Sequence, residues 1–259
     1  MFPSRLSVTL VVLVVCTAGC GGVVSDAGSP TPERLDAPPG VEASGVTDPA
    51  TLTSAHGSVL SSRSYTTTQT TTVTFDNGTV YVERVQNATV ASQDHYLFDS
   101  ERRGPRTPVG YGSRVAFYAD DETTQQLVVS WDGTRDVRRE PVGFIGQDDP
   151  FDGLPRQRDL GRENLVYQLL ASAETRTVES QPADDRYRIA VDGATPTALP
   201  FVADAGPANA TLHVTPDGVV TDLVVSYTAT VDGEPVRVRT VVRYDEIETA
   251  SVERPDWVG

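Results

Sequence analysis

The residue whose chemistry is easiest to assign is Cys20, because it follows a short hydrophobic leader. Arg5 precedes an apolar run over residues 6–15, and Cys-Thr-Ala-Gly-Cys follows at positions 16–20. This is the anatomy of a signal peptide, since a membrane-spanning helix needs about 20 apolar residues. The small residues before Cys20 favour a lipobox over a plain secretory signal, with the thiol receiving lipid. We predict a signal peptide over residues 1–19 and a lipid on Cys20 that attaches the chain to the extracellular face of the cell membrane.

The other side chains capable of catalysis or metal binding are dispersed. The three histidines, His56, His95 and His213, have no neighbour at ligand spacing, and no G-x-S-x-G elbow, P-loop or H-E-x-x-H helix is present. His56 falls on an apolar helix face, which favours a core or pocket-rim histidine. A cluster of carboxylates (Asp148, Asp149 and Asp152) could suit calcium, but its spacing misses the EF-hand pattern and favours a solvated loop. We predict that the chain is not an enzyme and that it holds no metal and no cofactor.

Three N-x-T sequons begin at Asn77, Asn87 and Asn209. Each lies in or beside a predicted hairpin, so an exported chain would present them to solvent. Turn chemistry alone explains Asn77, and a threonine-rich chain can also produce such triplets by chance. Glycosylation at these three asparagines is therefore a hypothesis.

The charge balance excludes nucleic acid as a partner. Asp and Glu number 36 against 21 Lys and Arg, for a net charge of -15, and all the basic residues are arginine. Phosphate backbones would be repelled. The bias resembles that of proteins from extreme halophiles, in which molar salt shortens the screening length to roughly 3 Å and removes the cost of carboxylate repulsion. We predict salt-dependent folding.

The chain divides into a tether and a body. Residues 20–47 are rich in Gly, Pro, Ser and Ala without an apolar period, which predicts a flexible linker. At Asp48-Pro49 a helix begins, with Asp as cap and Pro in the first turn. Residues 162–173 predict a second helix after a Pro- and Gly-rich stretch.

Strands make up most of the body. Asn77-Gly78 between runs of β-forming residues predicts a hairpin, and further strands are expected near residues 95–98, 114–118 and 127–131. The last strands span residues 211–215, 219–231 and 236–244, the final one alternating valines and tyrosine with arginines. Such meanders allow a sandwich, a closed barrel or a curved sheet around the helices. Because a helix precedes strands twice, we favour the third.

The order of tether, capped helix and hairpins, with Pro255-Asp256-Trp257 at the end, resembles a group of haloarchaeal surface lipoproteins of uncharacterised function. Their fold looks like that of the bacterial lipoprotein carrier LolA and the mycobacterial lipid-binding lipoproteins. The resemblance implies one α+β domain over residues 48–259, a large curved antiparallel sheet (half-barrel) with two main helices on its concave side.

The same resemblance implies a pocket for an acyl or isoprenoid chain, and hence a non-enzymatic protein that binds or carries a hydrophobic, lipid-like ligand. The residues expected to line it are Leu52, His56, Val225, Tyr227 and Val238. The alternative is a structural or interaction module of the cell envelope without a ligand pocket. A deep pocket would favour carriage, whereas a filled interior would favour the module.

Overall fold

The structure, a computed structural model, describes residues 37–104, 112–120, 122–141, 160–181, 185–197 and 199–259. The predicted leader, Cys20 and most of the tether lie outside the described residues, as do Asp148, Asp149 and Asp152. No helix in the described ranges is long and apolar enough to cross a membrane.

Two helices and thirteen strands form the described body. The helices are α1 (Pro49–Ser62) and α2 (Glu163–Ala171). The strands are β1 (Val41–Glu42), β2 (Gly45–Val46), β3 (Tyr65–Phe75), β4 (Val80–Val90), β5 (His95–Arg103), β6 (Arg114–Asp120), β7 (Thr123–Val129), β8 (Arg135–Pro141), β9 (Glu174–Gln181), β10 (Arg186–Ala194), β11 (Ala208–Val214), β12 (Val220–Val231) and β13 (Glu234–Asp245).

Eleven of the strands make one antiparallel sheet in the order β8-β7-β6-β5-β4-β3-β13-β12-β11-β10-β9. Consecutive strands pair as hairpins except where β13 joins β3, which brings the last strand beside the first long one. Within the described residues the sheet is open, because β8 and β9 end the order without pairing to each other. The predicted fold class, a large antiparallel half-barrel with two helices, is confirmed.

Helix α1 begins as the sequence predicts. The Asp48 carboxylate accepts a hydrogen bond from the Thr51 backbone N–H at 3.0 Å, and Pro49 occupies the first turn. The apolar side of the helix is buried at Leu52, His56 and Leu60. A capped, one-sided helix of this kind gains its stability by packing against the sheet.

The two faces of the sheet differ in polarity, which is clearest on β13. Its buried residues alternate with exposed arginines, as predicted: Val236, Val238, Val242 and Tyr244 are buried, and Arg237, Arg239 and Arg243 are exposed. Full burial of each such apolar side chain contributes about 1.5–3 kcal/mol. We call the face that carries Val238 the inner face and the face that carries Arg239 the outer face.

Strand β3 is central and unusually uniform in composition. Seven of its eleven residues are threonine, in the sequence YTTTQTTTVTF. It pairs on one side with β13, from Thr66 opposite Asp245 to Phe75 opposite Val236, and on the other with β4. Three of its inner-face residues that are not threonine, Tyr65, Gln69 and Val73, are spaced four apart.

The folded body extends further toward the N-terminus than the sequence predicts. Strands β1 and β2 form a short hairpin on the edge strand β9, where the Val46 N–H donates to Thr175 Oγ1 at 2.8 Å and Thr177 Oγ1 donates to the Glu42 carbonyl at 2.9 Å. Val41 is buried. The predicted tether boundary at residue 47 is therefore corrected, because side chains of β9 satisfy the backbone of residues that the composition assigned to a linker.

Candidate functional site

A cavity of about 310 Å³ lies between helix α2 and the inner face of the sheet. This volume is at the lower end of the roughly 300–1,000 Å³ typical of small-molecule sites. Its lining comes from α2 and the residue before it, from β3, β12 and β13, and from the segment after β10: Gln69, Thr71, Arg162, Asn164, Leu165, Gln168, Leu169, Thr197, Leu199, Val225, Tyr227 and Thr240.

One side of the cavity is apolar. Leu165 and Leu169 are one helical turn apart on α2, and Val225 and Tyr227 are alternate inner-face residues of β12. Helical spacing on one element and strand spacing on the other therefore direct four apolar side chains into the same space. Leu199 adds a fifth from the connecting segment.

The connecting segment is attached to both the helix and the sheet. Tyr227 donates its hydroxyl to the Thr197 carbonyl at 3.3 Å, and Thr197 Oγ1 donates to Gln168 Oε1 at 3.0 Å. Because Thr197, Gln168 and Asn164 are all exposed, they mark the side on which the cavity meets solvent. These bonds leave Tyr227 with a polar tip at the mouth and an apolar ring in the cavity wall.

The opposite side of the cavity is polar. Thr71 and Thr240 share a hydrogen bond of 3.1 Å between their hydroxyl oxygens, and Gln69 Nε2 lies 3.5 Å from Thr71 Oγ1. Gln69 Oε1 is buried and accepts no hydrogen bond from the residues that the structure describes. Arg162, in a left-handed conformation just before α2, is the only charged residue among the described residues that line the cavity.

Residues paired across neighbouring strands extend this polar side as a row over the inner face of the sheet. Val225 lies opposite Thr240, Thr240 opposite Thr71, Thr71 opposite Arg84, and Arg84 opposite Arg102. Directly opposed residues in antiparallel strands project from the same face with Cβ atoms roughly 5 Å apart. The row therefore runs from an apolar cavity wall at β12 to two arginines on β4 and β5.

Arg84 is held in an environment that disfavours its charge. Burial, followed by the charges of Arg102 and Arg162, lowers the pKa of Arg84 to about 10, so it remains a cation at neutral pH. Its Nε donates to Ser100 Oγ at 3.3 Å, and in the described part of the chain no carboxylate forms an ion pair with it. Three guanidinium groups thus lie near one another on the inner side of a strongly acidic protein.

His56 is part of the packing of the body. Its Nδ1 accepts the Val220 N–H at 3.2 Å, so Nε2 carries the proton and donates to the Gly161 carbonyl at 2.8 Å. The Tyr244 hydroxyl donates to the same carbonyl at 2.7 Å, and the Tyr244 ring packs edge-on against His56. Burial lowers the pKa of His56 to about 4. This network holds the start of α2 against α1 and the sheet.

The structure separates the predicted pocket residues into two groups. Val225 and Tyr227 line the cavity. Leu52, His56 and Val238 have no solvent exposure and lie in the core, outside the lining of this cavity. Sequence reasoning missed Arg84 and Arg102, which alternation along their strands could have placed on the inner face only once the register was known. It also missed Arg162, which lies just before α2.

Two further crevices are smaller or more polar. One of about 270 Å³ lies near the end of α1, with Tyr65, Val90 and Leu160 among its lining residues. Another, of about 540 Å³, lies on the outer face, where Arg114 and Arg135 approach the C-terminal residues Arg254 to Trp257. The second is lined mainly by charged residues and does not offer an apolar wall.

Neither the histidines nor the acidic residues assemble into a metal site in the ranges described. No group of three or more His, Cys, Asp or Glu residues is close enough together there to hold a metal ion. Asn77, Asn87 and Asn209 are exposed, Asn77 in the β3–β4 turn and the other two on the outer face. Glycosylation of these asparagines stays a prediction.

Comparison with known proteins gives neighbours by fold alone. No family model and no curated protein matches the chain. A LolA superfamily protein from Nitrosomonas europaea is 8% identical, with a TM-score of 0.27, over 79% of this chain and 94% of that one. A DUF1329 family protein from Desulfovibrio piger is 11% identical, with a TM-score of 0.28, over 79% and 92%.

A third neighbour, described as an outer membrane lipoprotein-sorting protein domain from Vibrio parahaemolyticus, is 8% identical with a TM-score of 0.23, over 74% of this chain and 87% of that one. At these identities and TM-scores the likenesses carry no argument about what the chain binds. The fold described above rests on its own strand order, and the haloarchaeal resemblance and the lipid anchor stay predictions.

Proposed function

We propose that this chain is a membrane-anchored extracytoplasmic lipoprotein that binds a hydrophobic, lipid-like ligand in the cavity under α2 and has no catalytic role. The observation that supports binding is the cavity wall, where Leu165, Leu169, Val225 and Tyr227 converge from a helix and a strand. A small-molecule site is typically such a concave, mainly apolar space with a few polar groups at fixed positions.

The cavity volume limits the size of the ligand. At about 310 Å³ it is roughly ten times the ≈ 30 Å³ share of one liquid water, so it suits a single short apolar chain. A lipid with several long chains would require α2 or its neighbouring segments to move. The proposed ligand is therefore a single-chain amphiphile or one chain of a larger lipid.

The alternative, an envelope module without a pocket, is favoured by the filled part of the interior. Leu52 and His56 on α1 and Val238 on β13 are fully buried. Ligand binding decides between the two functions.

The ligand proposal is tested by mass spectrometry of organic extracts from the purified body without its lipid anchor. We expect a reproducible lipid or other hydrophobic compound in the wild type. Val225→Phe should fill the cavity and deplete that compound severalfold, because the added ring projects from the inner face. Val224→Phe makes the same change on the outer face and should retain it. Extracts with no hydrophobic compound, or equal amounts from both variants, would favour the envelope module.

The anchor is tested separately on the full chain. Cys20→Ser removes the thiol that would accept lipid, so the variant should leave the membrane fraction while the wild type stays in it. Fractionation of cells followed by immunoblotting measures this. A Cys16→Ser variant serves as the control, because the proposed cleavage removes Cys16. Equal membrane retention of Cys20→Ser and wild type would contradict the anchor.

A further inference from the structure

The arginines at and beside the cavity indicate the charge of the proposed ligand. We propose that the cavity binds an anionic amphiphile, with its carboxylate or phosphate held by Arg162 and Arg84 and its apolar chain lying against Leu165, Leu169 and Val225. This inference rests on the proposed function, because it assigns the ligand class of the same cavity.

Cationic side chains lie at the cavity and beside it. Arg162 lines the cavity, and Arg84 is one strand beyond the lining residue Thr71 on the same face. Arg102 follows at the next strand. The guanidinium of Arg84 is close enough to those of Arg102 and Arg162 for their charges to lower its pKa. The positive charges of Arg162 at the cavity and of Arg84 beside it both favour an anionic group at this end of the cavity.

The charge at the cavity contrasts with that of the rest of the molecule. The chain has 36 acidic residues, yet the cavity lining contains none among the residues described. On the outer face arginines pair with carboxylates, as Arg114 does with Asp99 and Arg176 with Asp192. Arg84, by contrast, has Ser100 as its hydrogen-bond partner. Its remaining donors suit anions that can accept hydrogen bonds through two oxygens, such as carboxylate and phosphate.

Uncharged polar side chains lie between Arg84 and the apolar wall of the cavity. Thr71 and Thr240 bring two hydroxyl groups to this end of the cavity, and either can donate a hydrogen bond. The Gln69 amide lies beside them with its oxygen unsatisfied, and rotating the amide by half a turn would direct its NH₂ group to that position instead. Neutral hydrogen-bonding groups on β3 and β13 therefore lie between Arg84 and the apolar wall at Val225.

The experiment compares three probes by isothermal titration calorimetry on the delipidated body in molar sodium chloride: decanoate, decanol and inorganic phosphate. Decanoate and decanol share one chain and differ in charge. We expect decanoate to bind at least about tenfold more tightly than decanol, a ratio that one charge-assisted contact can supply. Phosphate alone should bind more weakly than decanoate, since it lacks the chain.

The variants test which cation is responsible. Arg84→Gln should reduce the affinity for decanoate to near that for decanol and leave decanol binding unchanged, whereas Arg84→Lys should keep most of the preference. Arg239→Gln, on the outer face, removes the same charge from the molecule and should change neither affinity. Thermal unfolding of each variant confirms that it is folded, and the wild-type comparison of probes stands even where a variant unfolds.

The outcomes separate this inference from the function on which it rests. Equal binding of decanoate and decanol by the wild type would overturn the anionic headgroup and leave hydrophobic binding in place. Phosphate binding as tight as that of decanoate would also overturn it, because the site would then select a free anion. Binding of none of the probes would count against both proposals.

Discussion

At the scale of single residues, His56 shows how a polar side chain can be fully buried. Its two ring nitrogens are used by the Val220 N–H and the Gly161 carbonyl, an arrangement that only the neutral ring satisfies. Protonation would place an uncompensated charge in the core. Burial therefore lowers the pKa of His56 to about 4, below its usual value of 6.5.

This depressed pKa predicts a loss of stability in mild acid. The unfolded imidazole takes up a proton below pH 6.5, whereas the folded one does so only near pH 4, so stability present above pH 6.5 is lost as the pH falls through this window. Between pH 7.5 and pH 5 the contribution to the free energy of unfolding should fall by about 2 kcal/mol. Urea denaturation at the two pH values measures it.

Carboxylates also titrate as the pH approaches 5, so the histidine contribution must be isolated with variants. His56→Gln should lose the part of the pH dependence that belongs to the imidazole. His213→Gln, at a partly exposed position on β11, should retain it. If His56→Gln and the wild type lose the same free energy between pH 7.5 and pH 5, the buried neutral histidine is not the cause.

At the scale of elements, the β1–β2 hairpin covers part of the edge strand β9. The Thr175 hydroxyl both accepts a hydrogen bond from the backbone of Val46 and donates one to it. It accepts from the Val46 N–H at 2.8 Å and donates to the Val46 carbonyl at 3.3 Å. Gly45, with φ near +141°, lets the hairpin approach this threonine closely: a Cβ there would be 2.4 Å from the Thr175 carbonyl oxygen. An edge covered in this way exposes fewer unpaired backbone groups.

Replacement of Thr175 by valine should loosen the hairpin without unfolding the body. The change keeps the shape of the side chain and removes the hydroxyl, so the Val46 N–H loses its acceptor at a cost of about 1 kcal/mol. Hydrogen exchange of residues 41–46 should accelerate several-fold while exchange in β12 and β13 stays unchanged. Thr228→Val, at an exposed position on β12, is the matched control. Unchanged exchange in the hairpin would show that this contact does not hold it.

Local signals explain which elements the sequence could predict. The Asp48 cap, the Asn77-Gly78 turn and the alternation on β13 each lie within a few residues, and each is confirmed. The β1–β2 hairpin was missed because its strands have two residues each and lie in a Pro- and Gly-rich segment. The side chains that bind its backbone are on β9, about 130 residues away in the chain.

The candidate site was less predictable, because it depends on long-range register. Alternation on one strand predicts that Val225 and Tyr227 share a face, and both line the cavity. The row from Thr240 through Thr71 to Arg84 requires β13 to pair with β3, a connection between the two ends of the body that no turn specifies. The apolar helix face that carries Leu52 and His56 is compatible with a pocket and with the core, and the sequence does not distinguish the two.

At the scale of the whole molecule, the net charge of -15 should make stability depend on salt. Carboxylate repulsion opposes the compact state, and raising the salt from 0.1 M to 1 M shortens the screening length from about 10 Å to about 3 Å. We expect the free energy of unfolding at neutral pH to rise with sodium chloride across this range. Sucrose at equal osmolality, which does not screen charge, should stabilise the protein less. Equal stability at both salt concentrations would contradict the prediction.

The threonine-rich composition of β3 has a consequence for how the chain finds its own alignment. A shift of this strand by one or two positions would still present mostly threonine to both neighbours, so β-propensity alone barely penalises the error. Tyr65, Gln69 and Val73 specify the register, because only the native alignment places all three on the inner face opposite their partners Val90, Gln86 and Val82. If these three residues were replaced by threonine, the strand could still pair but would no longer specify its register. Sheets with a shifted strand would then compete with the native one.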